Sequence, residues 1–80
     1  MQISAQISLY TLGKEHLQEE IREFVRMIEA RGLHCTIGSM STTIAGDSAV
    51  VFPALQDAFE YVASRGGYVM ASTISNACPV

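Results

Sequence analysis

The chain has little charge, no tryptophan and no excess of basic residues. Five Lys and Arg and eight Asp and Glu make up 16% of its 80 residues, and the formal net charge is −3. An average globular domain carries about 25% charged residues, and a nucleic-acid-binding surface needs a basic patch. The composition therefore argues against a nucleic-acid partner and leaves few charges to cover the surface.

Long apolar runs and cysteine clusters are also missing. No run approaches the roughly 18 apolar residues that a membrane-spanning helix needs, and no signal-peptide pattern opens the chain. Because disulfides persist mainly in oxidising compartments, the two cysteines, Cys35 and Cys78, are interpreted as reduced thiols. We expect a cytoplasmic protein that does not insert into a membrane.

The length predicts one small domain, 1–80, with a marginal core. A chain of this size buries only about 60–65% of the surface that its unfolded form exposes. Yet 49% of its residues are hydrophobic. A marginal core with little surface charge indicates that some surface is buried by association, so we expect a homodimer or homotetramer.

The first half of the chain predicts a strand followed by a charged amphipathic helix. Gln2–Tyr10 alternates apolar and polar residues with period two, as a half-buried strand does. Lys14–Arg31 carries one apolar stripe at helical spacing, and Gly32 suits its C-terminal cap. The stripe consists of Leu17, Ile21, Phe24, Val25 and Ile28.

A hydroxyl-rich stretch follows in the middle of the chain. Leu33–Ile37 predicts a short strand, and Met40–Ala45 predicts a second one because Thr and Ile pack well on a pleated surface. Gly38 and Gly46 bracket that second strand, so a turn is expected at each. An uncharged strand with this many hydroxyls is typical of a binding site or of a contact with another protein.

The last third of the chain predicts a second helix and a final strand. Asp47 or Ser48 can cap a helix that runs to about Ser64. Pro53 lacks a backbone N–H, so an irregular start is expected, with a regular helix only from about Phe52. Tyr68–Asn76 is again an uncharged strand.

The order β-α-β-β-α-β predicts an α+β fold of the ferredoxin-like kind, with four antiparallel strands and both helices on one face. Right-handed crossovers place the first and third strands in the centre of the sheet. The uncovered face would carry Gln6, Ser8 and Tyr10 and no Lys, Arg, Asp or Glu. Because a solvated sheet face usually carries charge, we expect this face to be covered.

No residue pattern indicates catalysis or metal binding. His16 and His34 have no partners at metal-ligand spacing. Cys35 has no activating neighbour, because His34 points to the other face of its strand. We therefore expect no enzyme, no metal and no cofactor. The neutral surface with Tyr10, Tyr68 and Met70 suits a small polar heteroaromatic ligand, and a plain dimer interface suits it equally.

Several short motifs resemble the Ykof family of proteins that bind thiamine and hydroxymethylpyrimidine. They are Ile7-Ser8-Leu9-Tyr10, Met40-Ser41-Thr42-x-Ile44-x-Gly46, Val51-Phe52, Val69-Met70 and Thr73-x-Ser75-x-x-Cys78-Pro79. The resemblance implies a ferredoxin-like module that binds the pyrimidine part of thiamine without catalysis. Better-known members carry two modules in one chain, so this single module would pair with further copies.

The resemblance also implies a set of ligand-binding residues. Ser41 and Thr42 would form hydrogen bonds, Ser8 and Tyr10 would be wall residues, Met40 an apolar contact, and Ser75 and Asn76 rim contacts. Asp47 is the one acid beside the hydroxyl-rich strand, where helix capping is the main alternative role. Since Ser41 and Thr42 point to opposite faces of a strand, only one of them can face a simple sheet-face pocket.

Other functions remain open for this topology. An amino-acid-sensing regulatory module has it, although such modules usually accompany a catalytic domain. A purely structural oligomerisation module would use the uncharged face as an interface only. An acylphosphatase-type enzyme would need an anion-cradling loop with Arg, which residues 10–13 lack. For the same lack of basic residues, phosphorylated forms of thiamine are expected to bind worse.

Overall fold

A four-stranded antiparallel sheet with two helices on one side forms this domain. The computed structural model describes residues 1–11, 17–38 and 41–77. The elements are β1 (Gln2–Thr11), α1 (Leu17–Glu29), β2 (His34–Ile37), β3 (Thr42–Asp47), α2 (Ser48–Ala63) and β4 (Tyr68–Ser75). The strand order is β2-β3-β1-β4, which confirms the ferredoxin-like α+β prediction with β1 and β3 in the centre.

The core lies between the sheet and the two helices. On β1, the odd-numbered residues Ile3, Ala5 and Ile7 are buried under the helices. The other core residues are Phe24, Ile28, Leu33, Ile44, Val51, Ala54, Leu55, Ala58 and Val62. These are the apolar positions that recur at strand and helix spacing, so the two periodicities predicted the core faces.

The start of β3 and the role of Gly46 differ from the prediction. β3 runs Thr42–Asp47, whereas the sequence predicted Met40–Ala45 and a turn at Gly46. Gly46 pairs with Ile3 inside the strand. The residue is glycine because a side chain there would meet Leu33: an added Cβ would lie 2.3 Å from the Leu33 Cδ2 atom. Gly38 does lie in the connection, where its N–H bonds the Ser41 carbonyl at 2.8 Å.

α2 begins earlier and more regularly than Pro53 suggested. It is helical from Ser48, and Asp47 is its N-cap, with its Oδ1 accepting from the Ala49 N–H at 2.9 Å. Pro53 removes only the bond to the Ala49 carbonyl. Because Val51 and Leu55 are buried on either side of the proline, core packing holds this part of the helix.

The remaining boundaries agree with the prediction to within a few residues. The predicted start of the first helix, at Lys14, and Cys78 both lie outside the described residues. Cys35 is a free, half-buried thiol on the edge strand β2. Burial, with a contribution from Glu29, raises its pKa to about 11.

Candidate functional site

The strand register defines an open face, the side of the sheet away from the helices. The even-numbered residues of β1 lie on it, and their partners on the other strands share it. In successive rows it carries His34–Ala45–Ser4–Ser75, Thr36–Thr43–Gln6–Thr73, Ser8–Ala71 and Tyr10–Val69. None of the described residues in these rows is Asp, Glu, Lys or Arg. Asp47, which pairs with Gln2 beyond the Ser4 row, is the acid at the corner of this face.

Three of the predicted site residues lie near one another on this open face. Gln6 donates from Nε2 to the Ser41 hydroxyl at 3.2 Å, which places Ser41 beside β1. Ser8 is half-buried on the same face. Tyr10 is 55% exposed beside Val69, which is 50% exposed. These residues form a shallow neutral surface rather than an enclosed pocket.

Thr42 lies on the other side of the sheet. It pairs with Ile37 and Ile7, which belong to the helix-facing rows, and it is 8% exposed. The two candidates of the hydroxyl-rich stretch are therefore separated: Ser41 faces the open face and Thr42 faces the helices. Tyr68 and Met70, expected on the neutral surface, also lie on the helix side, opposite Thr11 and Leu9.

The other predicted site residues lie far from this group. Asp47 caps α2 and also accepts from the N-terminal ammonium at 3.3 Å; the capping bond, then the ammonium, lowers its pKa. Ser75 accepts the Ala77 N–H at 3.0 Å, and Asn76 is exposed just after β4. Because Ser75 pairs with Ser4, it lies six residues, or about 20 Å, from the Tyr10 row. Met40 lies outside the described residues.

A cleft between the two helices was not predicted from the sequence. This helix-end cleft, of about 290 Å³, lies between the first half of α1 and the end of α2. Its lining residues are Glu19, Glu20, Glu23, Tyr61 and Arg65. Among the described lining residues there are three carboxylates and one guanidinium, and one carboxylate, Glu23, is paired with Arg26, whereas the open face is neutral.

Two charged contacts organise the wall of the cleft. Arg65 lies over the Tyr61 ring, 4.8 Å from its centroid, and donates to the Tyr61 hydroxyl at 2.7 Å. Arg26 donates from Nε to a Glu23 oxygen at 3.2 Å, and its Nη2 donates to the other. The bond from Arg26 lowers the pKa of Glu23, so this carboxylate stays ionised. The cleft therefore presents negative charge against an aromatic ring.

Three side-chain oxygens of the described residues are buried without a hydrogen-bond partner. They are Glu20 Oε1, Thr11 Oγ1 and Tyr68 OH. Thr11 and Tyr68 are directly opposite each other on β1 and β4, on the helix side of the sheet. Glu20 lies on α1, which begins shortly after β1 ends, and it lines the helix-end cleft. The three oxygens thus lie at one end of the fold, on its helix side.

The sequence held a weak signal for two of these three residues. Thr11 continues the alternation of Ile7 and Leu9, so it places a hydroxyl at an apolar position of the strand. Glu20 lies next to the apolar stripe of α1, one turn before Phe24. A polar residue at a core position is informative because buried polar groups are normally bonded. Only the packing of α1 against the sheet shows that these positions share one end.

The structure carries no cluster of three or more His, Cys, Asp or Glu with metal-binding geometry among the residues it describes. Nor does any helix in the described ranges have both the length and the apolar character to cross a bilayer.

Solved structures of other proteins share this fold. A hypothetical protein from Methanocaldococcus jannascii matches with a TM-score of 0.85 and 19% identity, covering 96% of this chain and 81% of that one. A Streptococcus pneumoniae protein matches with a TM-score of 0.84 and 13% identity, covering 94% and 86%. A candidate thiamine biosynthesis/salvage protein from Thermotoga maritima matches with a TM-score of 0.81 and 17% identity, covering 94% and 83%. At these identities the likeness shows the fold.

The family comparison covers almost the whole sequence. No curated protein matches the chain. The model of the YKOF-related family matches residues 2–80, a span that includes every described element. The family resemblance predicted from the sequence motifs is thereby confirmed: the chain belongs to the YKOF-related family.

Proposed function

We propose that this protein binds thiamine or its hydroxymethylpyrimidine part and releases it unchanged, in the uptake, salvage or buffering of vitamin B1 in the cytoplasm. The observation that carries the proposal is the family match over residues 2–80. The fold that the chain shares with the T. maritima candidate thiamine biosynthesis/salvage protein supports it. No catalytic step is part of the proposal.

The charge of the helix-end cleft supports a cationic or neutral ligand rather than a phosphorylated one. Thiamine carries a positively charged thiazolium ring, and three carboxylates are among the described residues that line the cleft, one of them, Glu23, already paired with Arg26. Its one guanidinium, on Arg65, already donates to the Tyr61 hydroxyl. A diphosphate group would need basic partners or a helix N-terminus to offset its charge. We therefore expect thiamine diphosphate to bind worse than thiamine.

The open face supports association between copies. Four strands spaced about 4.8 Å apart and on average about seven residues long give roughly 450 Å² per copy, or about 900 Å² for two. That total lies just below the roughly 1,000 Å² of a specific protein interface, so residues flanking the strands must add to the buried area. Since the face has almost no charge and exposes Tyr10 and Val69, two copies can bury it without desolvating ion pairs. We propose a homodimer through this face, or a homotetramer built from such dimers.

Titration calorimetry of the purified protein against thiamine, hydroxymethylpyrimidine and thiamine diphosphate tests the binding proposal. Saturable binding of one unphosphorylated ligand, near one per chain or one per dimer, is the expected result. The mass in solution, measured on the same sample, tests the association. Mass spectrometry of the ligand after long incubation should recover it unchanged, and any converted product would contradict the non-catalytic part of the proposal.

The competing function is a structural or regulatory oligomerisation module that binds no thiamine. The uncharged open face is the observation that favours it, because such a face can be an interface and nothing more. A stable oligomer that gives no heat with any of the three ligands would establish this alternative. Stabilisation of the fold by amino acids, measured by thermal shift, would assign it to the amino-acid-sensing kind.

A further inference from the structure

We propose that the three buried oxygens, Glu20 Oε1, Thr11 Oγ1 and Tyr68 OH, bind an aminopyrimidine where β1 ends and β4 begins, beside the helix-end cleft. The inference rests on the proposed function, and it assigns the ligand to the helix side of the sheet instead of the open face. None of the three residues is among those that the family resemblance implied.

The first argument is the cost of leaving these oxygens unpaired. A buried polar group without a partner loses its hydrogen bonds to water and receives nothing in return. Native proteins keep few such groups, and each one needs an explanation, such as an ordered water, an ion or a ligand that binds there. Here three occur among 70 described residues, and all lie at one end on one side of the sheet. Their common location indicates a shared partner.

The second argument is the topology that brings the three oxygens to that end. Thr11 ends β1 and Tyr68 begins β4, and the two residues are paired in the sheet. Glu20 lies three residues after the start of α1, about 5 Å along the helix axis. It shares the cleft with Tyr61 and Arg65, which come from the end of α2. Of the three residues, Glu20 lines the cleft, and Thr11 and Tyr68 lie at the end of the sheet near the start of α1.

The third argument is chemical complementarity. An aminopyrimidine presents an exocyclic amino group, which donates, beside ring nitrogens, which accept. A carboxylate oxygen such as Glu20 Oε1 can only accept, and the hydroxyls of Thr11 and Tyr68 can donate. The amino group and the adjacent ring nitrogen need one acceptor and one donor, and the second hydroxyl can donate to the other ring nitrogen. The carboxylates Glu19 and Glu23 line the outer part of the cleft, where a cationic ring attached to the pyrimidine would lie, and Arg65 already occupies one face of the Tyr61 ring.

The test compares variants that delete one oxygen or one charge each. Tyr68→Phe and Thr11→Val remove the buried hydroxyls with little change of shape, and Glu20→Gln removes the charge. Each should raise the Kd for hydroxymethylpyrimidine and for thiamine about tenfold or more, measured by titration calorimetry. Thr36→Val and Glu29→Gln are the matched controls, because both residues are exposed and lie away from the cleft. They should leave both Kd values unchanged.

Stability separates a binding role from a structural one. Because Tyr68→Phe and Thr11→Val delete unpaired buried hydroxyls, the unliganded variants should have an unchanged or higher Tm, by up to about 4 °C, although they bind worse. A fall in Tm together with the loss of binding would show that these hydroxyls support the fold, and would overturn the proposal. Salt gives an independent readout: the Kd of thiamine should rise with ionic strength more than that of uncharged hydroxymethylpyrimidine.

The outcomes distinguish this inference from the proposed function. If the wild-type protein binds none of the ligands, the proposed function fails and this assignment fails with it. If the wild type binds and the three variants bind equally well, the function stands and the helix-side site is refuted. In that case Tyr10→Phe and Ser41→Ala, on the open face, should reduce affinity instead.

Discussion

Replacing Gly46 by alanine should destabilise the fold even though the backbone there accepts any residue. Among the described glycines only Gly32 and Gly66 have positive φ, so Gly46→Ala introduces no backbone strain. The problem is space: the new Cβ would lie 2.3 Å from the Leu33 Cδ2 atom and 3.6 Å from Val51 Cγ2. Carbon atoms normally pack at about 3.5–4.0 Å, so Leu33 would have to move by more than about 1 Å.

The expected magnitude follows from two opposing effects. Leu33 is 7% exposed and packs in the core, so it cannot turn freely away, and overpacking of this kind costs about 1–3 kcal/mol. The loss of glycine from the unfolded chain opposes this by about 0.4–1 kcal/mol. The net loss of about 1–2 kcal/mol corresponds to a Tm lower by about 5–15 °C in a domain of this size.

A double-mutant cycle with Leu33→Ala isolates the contact. Thermal and urea unfolding, followed by circular dichroism, should show that Gly46→Ala costs at least about 1 kcal/mol less when Leu33 is already alanine. Gly38→Ala is the matched control: its Cβ would meet only the Ser41 carbonyl oxygen, at 3.1 Å, so its cost should not depend on Leu33. A Gly46→Ala variant as stable as the wild type, or one whose cost ignores Leu33, would refute the close-packing explanation.

Three further predictions address single residues. Thr42→Val should leave the Kd for thiamine unchanged in calorimetry, because Thr42 faces the helices, whereas a tenfold loss would return it to the site. In a Cys78→Ser background, Cys35 should react with iodoacetamide far more slowly than free cysteine at pH 8. The reason is its raised pKa of about 11, which leaves only about 0.1% of the thiol as the reactive thiolate. Equal reaction rates would contradict the burial of Cys35. Asp47→Ala should lower Tm at pH 7 through loss of the α2 cap. The pKa of Asp47 is lower in the folded state than in the unfolded state, where it is about 3.9, so its charge stabilises the fold above that pH and stops doing so as the pH falls through the folded-state pKa. The difference in Tm between wild type and Asp47→Ala should therefore shrink below about pH 4. A difference that stays constant with pH would mean that the charge of Asp47 does not contribute.

The sequence predicted the order of elements and the faces that they bury, because period two and period 3.6 are local signals. It failed where a nonlocal contact set the conformation. Gly46 looked like a turn residue, and only the position of Leu33, from a neighbouring strand segment, shows that it is a strand residue that must lack a side chain. Pro53 predicted an irregular start to α2, but the helix begins at Ser48, because burial of Val51 and Leu55 outweighs the single lost bond.

The candidate site was predictable only in part. The alternation of β1 placed Ser8 and Tyr10 on an uncharged face, and the register confirms that placement. Family motifs could not separate Ser41 from Thr42 without knowing where β3 starts, since a shift of one residue exchanges the faces of a strand. Whether either residue binds a ligand stays a prediction for calorimetry to test.

By itself the sequence determined the ferredoxin-like topology, the buried stripes and the membership of the YKOF-related family, since each depends on residue types at short, regular spacings. Only the tertiary structure decided which polar groups are buried together. Thr11, Glu20 and Tyr68 are up to 57 positions apart in the chain, and no local pattern relates their oxygens. They come to one end of the fold because β1 pairs with β4 and because α1 packs back across the sheet.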